Sequence, residues 1–334
     1  MTDQSACRIA LDALGGDGEL SSSLQGCRLA LEADSDLLID VFGPRADAES
    51  LLSAWPIPLR RRCVVRDAAL ALPADAGPGE ALRRGRNSSM AQALEALARS
   101  DVEAVVSGGS TGALMVLARH LVGTWPGIDR PALMGSIPTL TGRCWMLDLG
   151  ANIHVDARRL HEFARLGRVA VRALNQRDPN IALLNIGSEP GKGPDVVREA
   201  ARLLEGDPDI VFSGFVEADQ VFSGRVDVVV CDGFSGNVLL KSAEGAVRMM
   251  FGEISRRFGT SLCGWMARPR LRQLRDSLDP ARHNGAALLG VRGVVIKSHG
   301  GASASGLARA LELAAREARE GLTAAMEEQF WVLD

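Results

Sequence analysis

No C-x-x-C pair, no positive charge excess and no apolar run near the roughly 20 residues that span a bilayer occur in this chain. Each absence removes a class of function. The six cysteines, Cys7, Cys27, Cys63, Cys144, Cys231 and Cys263, lie far apart and follow no secretory leader, so reduced cytosolic thiols are expected and a zinc site is not. A net charge of −3 argues against general affinity for nucleic acid. Neither a Walker loop nor a G-x-G-x-x-G dinucleotide fingerprint is present, and the carboxylates are too scattered for a metal cluster, so neither a nucleotide cofactor nor a metal is expected. There is no internal repeat and no low-complexity tract. With 46% hydrophobic residues in 334, the chain can bury a large core, as one α/β domain or two closely joined lobes.

What is present is a series of short β-branched runs that end in glycine-rich turns. Val102 to Val106 stops at Ser107-Gly108-Gly109-Ser110-Thr111-Gly112, and an apolar-periodic segment with Ala113, Leu114, Leu117, Ala118 and Leu121 follows. This reads as strand, turn and helix. Backbone N–H groups at such a helix start are free for an anion, with Ser110 or Thr111 as the cap. A tight turn that uses its glycines for backbone geometry alone is the other reading.

Other strand ends repeat the pattern. Ile9-Ala10-Leu11 ends in Asp12-Ala13-Leu14-Gly15-Gly16-Asp17-Gly18, and Cys144 to Leu149 closes with Asp148-Leu149-Gly150-Ala151-Asn152. Ile181 to Ile186, which includes Asn185, leads into a loop with Lys192 between Gly191 and Gly193. Val226 to Val230 ends in Cys231-Asp232-Gly233-Phe234-Ser235-Gly236-Asn237, and Val294 to Ile296 in Lys297-Ser298-His299-Gly300-Gly301. Between these runs lie helical stretches, Leu24 to Glu32, Met90 to Ala98, Arg158 to Leu174 and one long helix from Ser303 to Phe330. Alternation of strand and helix predicts βαβ units and a largely parallel sheet. A possible hairpin between the Arg130–Thr139 and Cys144–Leu149 segments would make the sheet mixed. A mobile loop is expected over Leu72 to Glu80, ahead of Arg83, Arg84 and Arg86.

In open sheets such ends converge on one crevice, so an active site is expected there. Lysines, a histidine and capping hydroxyls suit a phosphate or another small oxyanion. Cys231 is a conceivable acyl-carrying nucleophile, but its place at the end of a valine-rich strand suits inert core.

From Gly245 to Pro280 the chain reads as a helical hairpin projecting from the single domain 1–334. It carries Arg248, Arg256, Arg257, Arg268, Arg270, Arg272 and Arg275 against Glu253 and Asp276, and its tip holds Leu262, Trp265 and Met266. A basic arm with an apolar end fits a reversible anchor on an anionic membrane surface. Packing against a partner subunit is the alternative.

Taken together, L-D-A-L-G-G-D, S-G-G-S-T-G-A-L-M, R-P-A-L, L-D-L-G-A-N, L-L-N-I-G-x-E-x-x-K-G, V-D-V-V-V-C-D-G-F-S-G-N-V-L-L-K and L-L-G-V-R-G-V-V-I-K-S-H-G closely resemble the phosphate acyltransferases of bacterial phospholipid synthesis. The match runs in order from residue 8 to about residue 312, with departures at Gly18-Glu19-Leu20, Ser110 and His283-Asn284. The resemblance implies transfer of a fatty acyl group from acyl carrier protein to inorganic phosphate. It also implies a Rossmann-like α/β/α fold related to the isocitrate and isopropylmalate dehydrogenases, a homodimer, and peripheral attachment to the cytoplasmic membrane.

On this reading phosphate attacks the thioester directly. Lys192 or Lys297 and the amides from Ser107 to Gly112 clamp it, His299 donates a hydrogen bond, and Asp232 completes the catalytic set. Asp12, Gly15, Gly16, Ser107, Gly109, Ser110, Thr111, Gly112, Asn152, Asn185 and Asn237 are the expected phosphate- and substrate-binding residues.

Overall fold

The computed structural model describes residues 6–73, 76–258 and 284–331, together with positions 270, 271, 274 and 278. Its strands are β1 (Cys7–Asp12), β2 (Leu37–Gly43), β3 (Cys63–Asp67), β4 (Ala104–Ser107), β5 (Ala132–Thr139), β6 (Gly142–Leu147), β7 (Asn180–Leu184), β8 (Val211–Val216), β9 (Val228–Val230), β10 (Ala286–Leu289) and β11 (Val294–Lys297). They form one sheet in the order β3-β2-β1-β4-β11-β10-β5-β6-β9-β7-β8. The helices are α1 (Leu20–Ala33), α2 (Arg45–Leu52), α3 (Ile57–Arg60), α4 (Pro78–Arg84), α5 (Ser89–Ala98), α6 (Thr111–Leu121), α7 (Ala157–Asn175), α8 (Asp195–Glu205), α9 (Gly233–Phe258), α10 (Ala304–Arg319) and α11 (Leu322–Phe330).

The three layers follow from side-chain alternation. Ile9 and Leu11 of β1 face a core shared with α1, α7, α8, α10 and α11, while Ala10 between them faces α5 and α6. Strands covered on both faces read as unbroken apolar runs: Ala104-Val105-Val106 of β4 and Val228-Val229-Val230 of β9 are fully buried. At the sheet edges the runs are broken instead: β3 alternates buried with exposed positions, and β8 alternates exposed with half-buried ones before its buried last residue, Val216. A third cluster, with Cys144, Met146, Ala182, Val229 and Cys231, lies beneath Leu239 of α9.

The mixed, largely parallel sheet is as predicted, and the β5–β6 pair is the expected antiparallel hairpin. One strand escapes the sequence reading. β10 pairs antiparallel with both β11 and β5, which leaves β5 parallel to β11; the β5–β6 hairpin then turns β6, β7, β8 and β9 opposite to β1, β2, β3, β4 and β11. The strand ends therefore fall into two groups rather than along one edge.

Three smaller expectations change. The long C-terminal helix breaks at Gly321, whose φ of +73° is a left-handed conformation suited to glycine. The loop expected over Leu72–Glu80 is cut short by α4, which starts on Pro78, a residue suited to the first helical turn. Ser110 occupies the N-cap position of α6, yet its side chain makes no capping hydrogen bond.

Of the segment Gly245 to Pro280 expected to form a hairpin, the part up to Phe258 belongs to α9. Leu262, Trp265 and Met266 lie outside the described residues. Among the described residues, no helix is long and apolar enough to cross a membrane. The five described cysteines, Cys7, Cys27, Cys63, Cys144 and Cys231, are free and buried.

Candidate active site

Three turns interlock where β1, β4 and β11 end side by side. The register sets Asp12 beside Ser107 and Ser107 beside Lys297. Gly16 has a φ of +103°, and a Cβ there would come within 2.6 Å of the Gly300 carbonyl oxygen; a Cβ on Gly108 would come within 2.7 Å of the Gly15 carbonyl oxygen. Backbone packs directly on backbone at these two places, so only glycine fits.

Asp12 ties the three turns to α5. Its carboxylate accepts from Ser107 Oγ at 2.6 Å and from Ser89 Oγ at 2.5 Å, and Ser107 Oγ accepts in turn from the Gly109 amide at 3.1 Å. Burial pushes the Asp12 carboxyl above its ordinary range, against these hydroxyls and the Leu14 and Gly15 amides. Asp12 and Ser107 are thus occupied in shaping the turns. Their bonds explain why both side chains are almost wholly buried.

Lys297 turns back over the β4 turn. Its Nζ donates to the Gly108 carbonyl oxygen at 3.2 Å and also to the Ser298 carbonyl oxygen. Burial draws its pKa down to about 8; Asp12 and Asp17 pull the other way, and Lys241 adds to the lowering. His299 is exposed, and its Nδ1 accepts from the Gly301 amide at 3.1 Å. The neutral ring then carries its proton on Nε2, facing away from that bond.

Asn284, which no motif singles out for this role, holds the same turn from behind. Its Oδ1 accepts from the His299 amide at 2.9 Å, and its Nδ2 donates to Ser298 Oγ and the Gly306 carbonyl oxygen, each at 2.8 Å. Its one signal in the sequence is that His283-Asn284, just ahead of Gly285, departs from the family pattern.

At the start of α6, Ser110 and Thr111 have no side-chain partner among the described residues. The first-turn amides of an 11-residue helix remain available, next to Lys297 and His299. Gly108-Gly109-Ser110-Thr111-Gly112 also has the G-x-S-x-G spacing of a nucleophile elbow. The geometry is not that of an elbow. Ser110 has φ −51° and ψ 129°, an unstrained backbone, and His299 Nδ1 faces an amide rather than an orienting carboxylate.

The second group of strand ends is held mainly by its own polar contacts. Asp148 accepts from the Leu133 amide at 2.9 Å, the Ala151 amide at 3.1 Å and the Asn152 amide at 2.5 Å. Asn152 Nδ2 donates to Asp148 and to the Pro131 carbonyl oxygen. Asp232 caps α9 through the Ser235 amide at 2.8 Å and the Ser235 hydroxyl at 2.7 Å. Asn237 is exposed on the first turns of α9, next to Gly150.

Asn185 braces the following loop, donating to the Lys192 carbonyl oxygen at 3.1 Å and accepting from the Ile186 amide at 2.9 Å. Lys192 itself is exposed. Its loop follows β7, five strand positions from β11, so about 24 Å of sheet separates it from the Lys297 strand. Among the described residues, no group of three or more His, Cys, Asp and Glu is placed to hold a metal ion.

Chemically, the β1–β4–β11 turns can receive a small oxyanion. They offer one cation, one imidazole N–H, two free hydroxyls and the amides of a helix start.

The fatty acid synthesis protein family model matches residues 7–325. A phosphate acyltransferase of Pseudomonas syringae pv. syringae (strain B728a) is 45% identical over 322 residues, covering 95% of each chain. One from Pseudomonas aeruginosa (strain UCBPP-PA14) is 44% identical over 95% of this chain and 96% of its own. Among solved structures, a phosphotransacetylase from Streptococcus pyogenes superposes with a TM-score of 0.61 at 19% identity, over 93% of this chain and 94% of that one. A 4-hydroxythreonine-4-phosphate dehydrogenase from Klebsiella pneumoniae gives 0.57 at 14% identity, over 94% and 100%. The structural likenesses carry the fold alone. Family membership rests on the sequence matches along nearly the whole chain: this protein belongs to the phosphate acyltransferase family of fatty acid synthesis proteins.

Proposed function

We propose that this chain transfers a fatty acyl group from the thioester of acyl carrier protein to inorganic phosphate, releasing acyl phosphate for phospholipid synthesis. The observation that carries the reading is the cluster at β1, β4 and β11: a buried-side lysine, an exposed imidazole and an uncapped helix start, held together by turns that admit only glycine.

Phosphate already bears the nucleophilic charge near neutral pH, so it needs a clamp rather than a base. Lys297 and the α6 amides supply that clamp. A phosphate oxygen attacks the carbonyl carbon and the C=O electron pair moves onto oxygen, where His299 Nε2–H donates to the oxyanion. The pair returns, the C–S bond breaks, and the carrier thiolate leaves to take a proton from solvent. The buried Cys231 takes no part. Its thiol is pushed well above its ordinary pKa by burial and then by Asp232 and Asp148.

Asp232 and Asn237, at the start of α9, are assigned to the acyl-donor side, and Lys192 is kept as a second clamp despite its distance along the sheet. Two copies of the chain pair, in our reading, through α9, where Met249 is 73% exposed and Met250 40%. The dimer works at the cytoplasmic face of the membrane, attached through the basic segment 245–280. Replacing Leu262 and Trp265 together with Asp should release it from anionic liposomes without loss of soluble transfer. Flotation of the double variant would place the anchor elsewhere.

Hydroxylamine trapping of product from a long-chain acyl carrier protein and phosphate tests the transfer itself. Acyl hydroxamate should form with no metal or nicotinamide added. Formation that requires a dinucleotide, or that stops with a chelator, would sink the reading.

A further inference from the structure

Asp17 closes the motif L-D-A-L-G-G-D, yet neither the phosphate clamp nor the oxyanion hydrogen bond uses it. Other aspartates at the strand ends are spent internally: Asp12, Asp148 and Asp232 each accept from neighbouring hydroxyls or amides. Asp17 is exposed, and its carboxylate has no hydrogen-bond or ion-pair partner among the described residues. Neither capping nor ion pairing explains it.

Its place is fixed by short distances on three sides. The Asp17 amide donates to the Gly300 carbonyl oxygen at 2.9 Å, which pins the β1 turn to the β11 turn at this residue. Toward Lys297, a Cβ on Gly300 would lie 3.2 Å from Asp17 Oδ2 and 3.5 Å from the Gly108 carbonyl oxygen, the atom to which Lys297 Nζ donates. Toward His299, a Cβ on Gly301 would lie 3.9 Å from Asp17 Oδ2 and 3.7 Å from His299 Nδ1. The carboxylate therefore stands inside the oxyanion cluster, with the seat of the lysine on one flank and the imidazole on the other.

A carboxylate among groups that attract anions repels any anion that has no proton to offer. When ionised it can only accept hydrogen bonds. Inorganic phosphate keeps at least one P–OH near neutral pH, whereas sulfate keeps none. Lys297 and the α6 amides alone would treat these two tetrahedral oxyanions nearly alike; an acid beside them rewards one and penalises the other.

We propose that Asp17 is the specificity-determining residue of the oxyanion site, accepting a hydrogen bond from the P–OH of phosphate and excluding oxyanions that carry no proton. The role rests on reading the site as one for phosphate, but its test does not depend on acyl transfer. A simple counter-charge for Lys297 is the competing account, and it would oppose phosphate and sulfate alike.

The test uses the full chain with phosphate, arsenate and sulfate, by titration calorimetry at pH 7 and constant ionic strength, with thermal melting as a control for folding. The native chain should bind phosphate at least about 10-fold more tightly than sulfate, the ratio a charge-assisted hydrogen bond supplies. Arsenate, which also keeps a proton, should sort with phosphate. Asp17→Asn, whose amide both donates and accepts, should bring phosphate and sulfate within about 3-fold of each other, chiefly by admitting sulfate. In the transfer assay, sulfate should compete with phosphate in the variant and not in the native chain.

A native chain that binds phosphate and sulfate equally, or binds neither, would overturn the proposal, as would arsenate that sorts with sulfate. So would a folded Asp17→Asn that binds neither anion or keeps the native preference, the latter being the result expected of a counter-charge alone. Failure of acyl transfer reads out separately. A native chain that selects phosphate through Asp17 but yields no acyl hydroxamate would sink the transfer and leave the anion selectivity standing.

Discussion

Glu317 should make this protein less stable as pH rises through neutrality. The residue sits near the end of α10 with no exposed surface, and neither carboxyl oxygen has a hydrogen-bond partner among the described residues. A cavity of about 10 Å³, bordered by β10, β11 and the side of α11, adjoins it and has room for at most one water. Burial pushes its pKa from 4.5 up to about 8, with Arg316 pulling down and Glu320 pushing up.

The sign follows directly. Below about pH 4.5 both folded and unfolded chains hold the proton, and there is no penalty. Between 4.5 and 8 the unfolded chain releases a proton that the folded chain keeps, so stability falls by about 1.4 kcal/mol per pH unit. By pH 7 the loss is about 3 kcal/mol, a substantial part of a typical folding free energy. Glu317→Gln keeps the shape and cannot ionise; its unpaired amide adds an offset that does not vary with pH. In urea unfolding from pH 5 to 8.5, the variant should gain on the native chain steadily as pH rises. Stability curves that stay parallel across this range would refute the assignment of a neutral, buried Glu317.

Three further outcomes follow from the site. Phosphate binding by the native chain should weaken as pH passes about 8, where the half-buried Lys297 loses its proton. Lys297→Ala should lose at least about 100-fold in transfer along with that pH dependence; a persistent midpoint in the variant would assign it to another group. Cys231→Ala should keep most transfer activity, because the thiol is buried and its pKa is raised. Isolation of an acyl thioester at Cys231 would refute direct attack by phosphate.

The local grammar of the chain was decided within the sequence. Apolar runs bounded by glycine set β1, β4, β9 and β11, because fully covered strands need no polar alternation. Asn87 and Ser88 both precede an apolar-periodic stretch as candidate caps for α5, and Ser88 is the one that accepts from the Ala91 amide, at 3.2 Å. The same motifs brought Asp12, Ser107, Lys297 and His299 into view as strand-end residues, and the β1–β4–β11 register puts the first three side by side.

Strand direction was decided by the tertiary structure. β10 is four residues, Ala286 to Leu289, too short to show a period, and its antiparallel place between β5 and β11 is fixed by non-local pairing. β10 adds one of the four strands between β11 and β7, and the β5–β6 hairpin divides the strand ends in two. Residue type also left open which polar groups would be spent internally. Ser107, Asn185 and Asp232 have the chemistry of ligands, but each binds its own turn, because a polar group near buried backbone must be satisfied first.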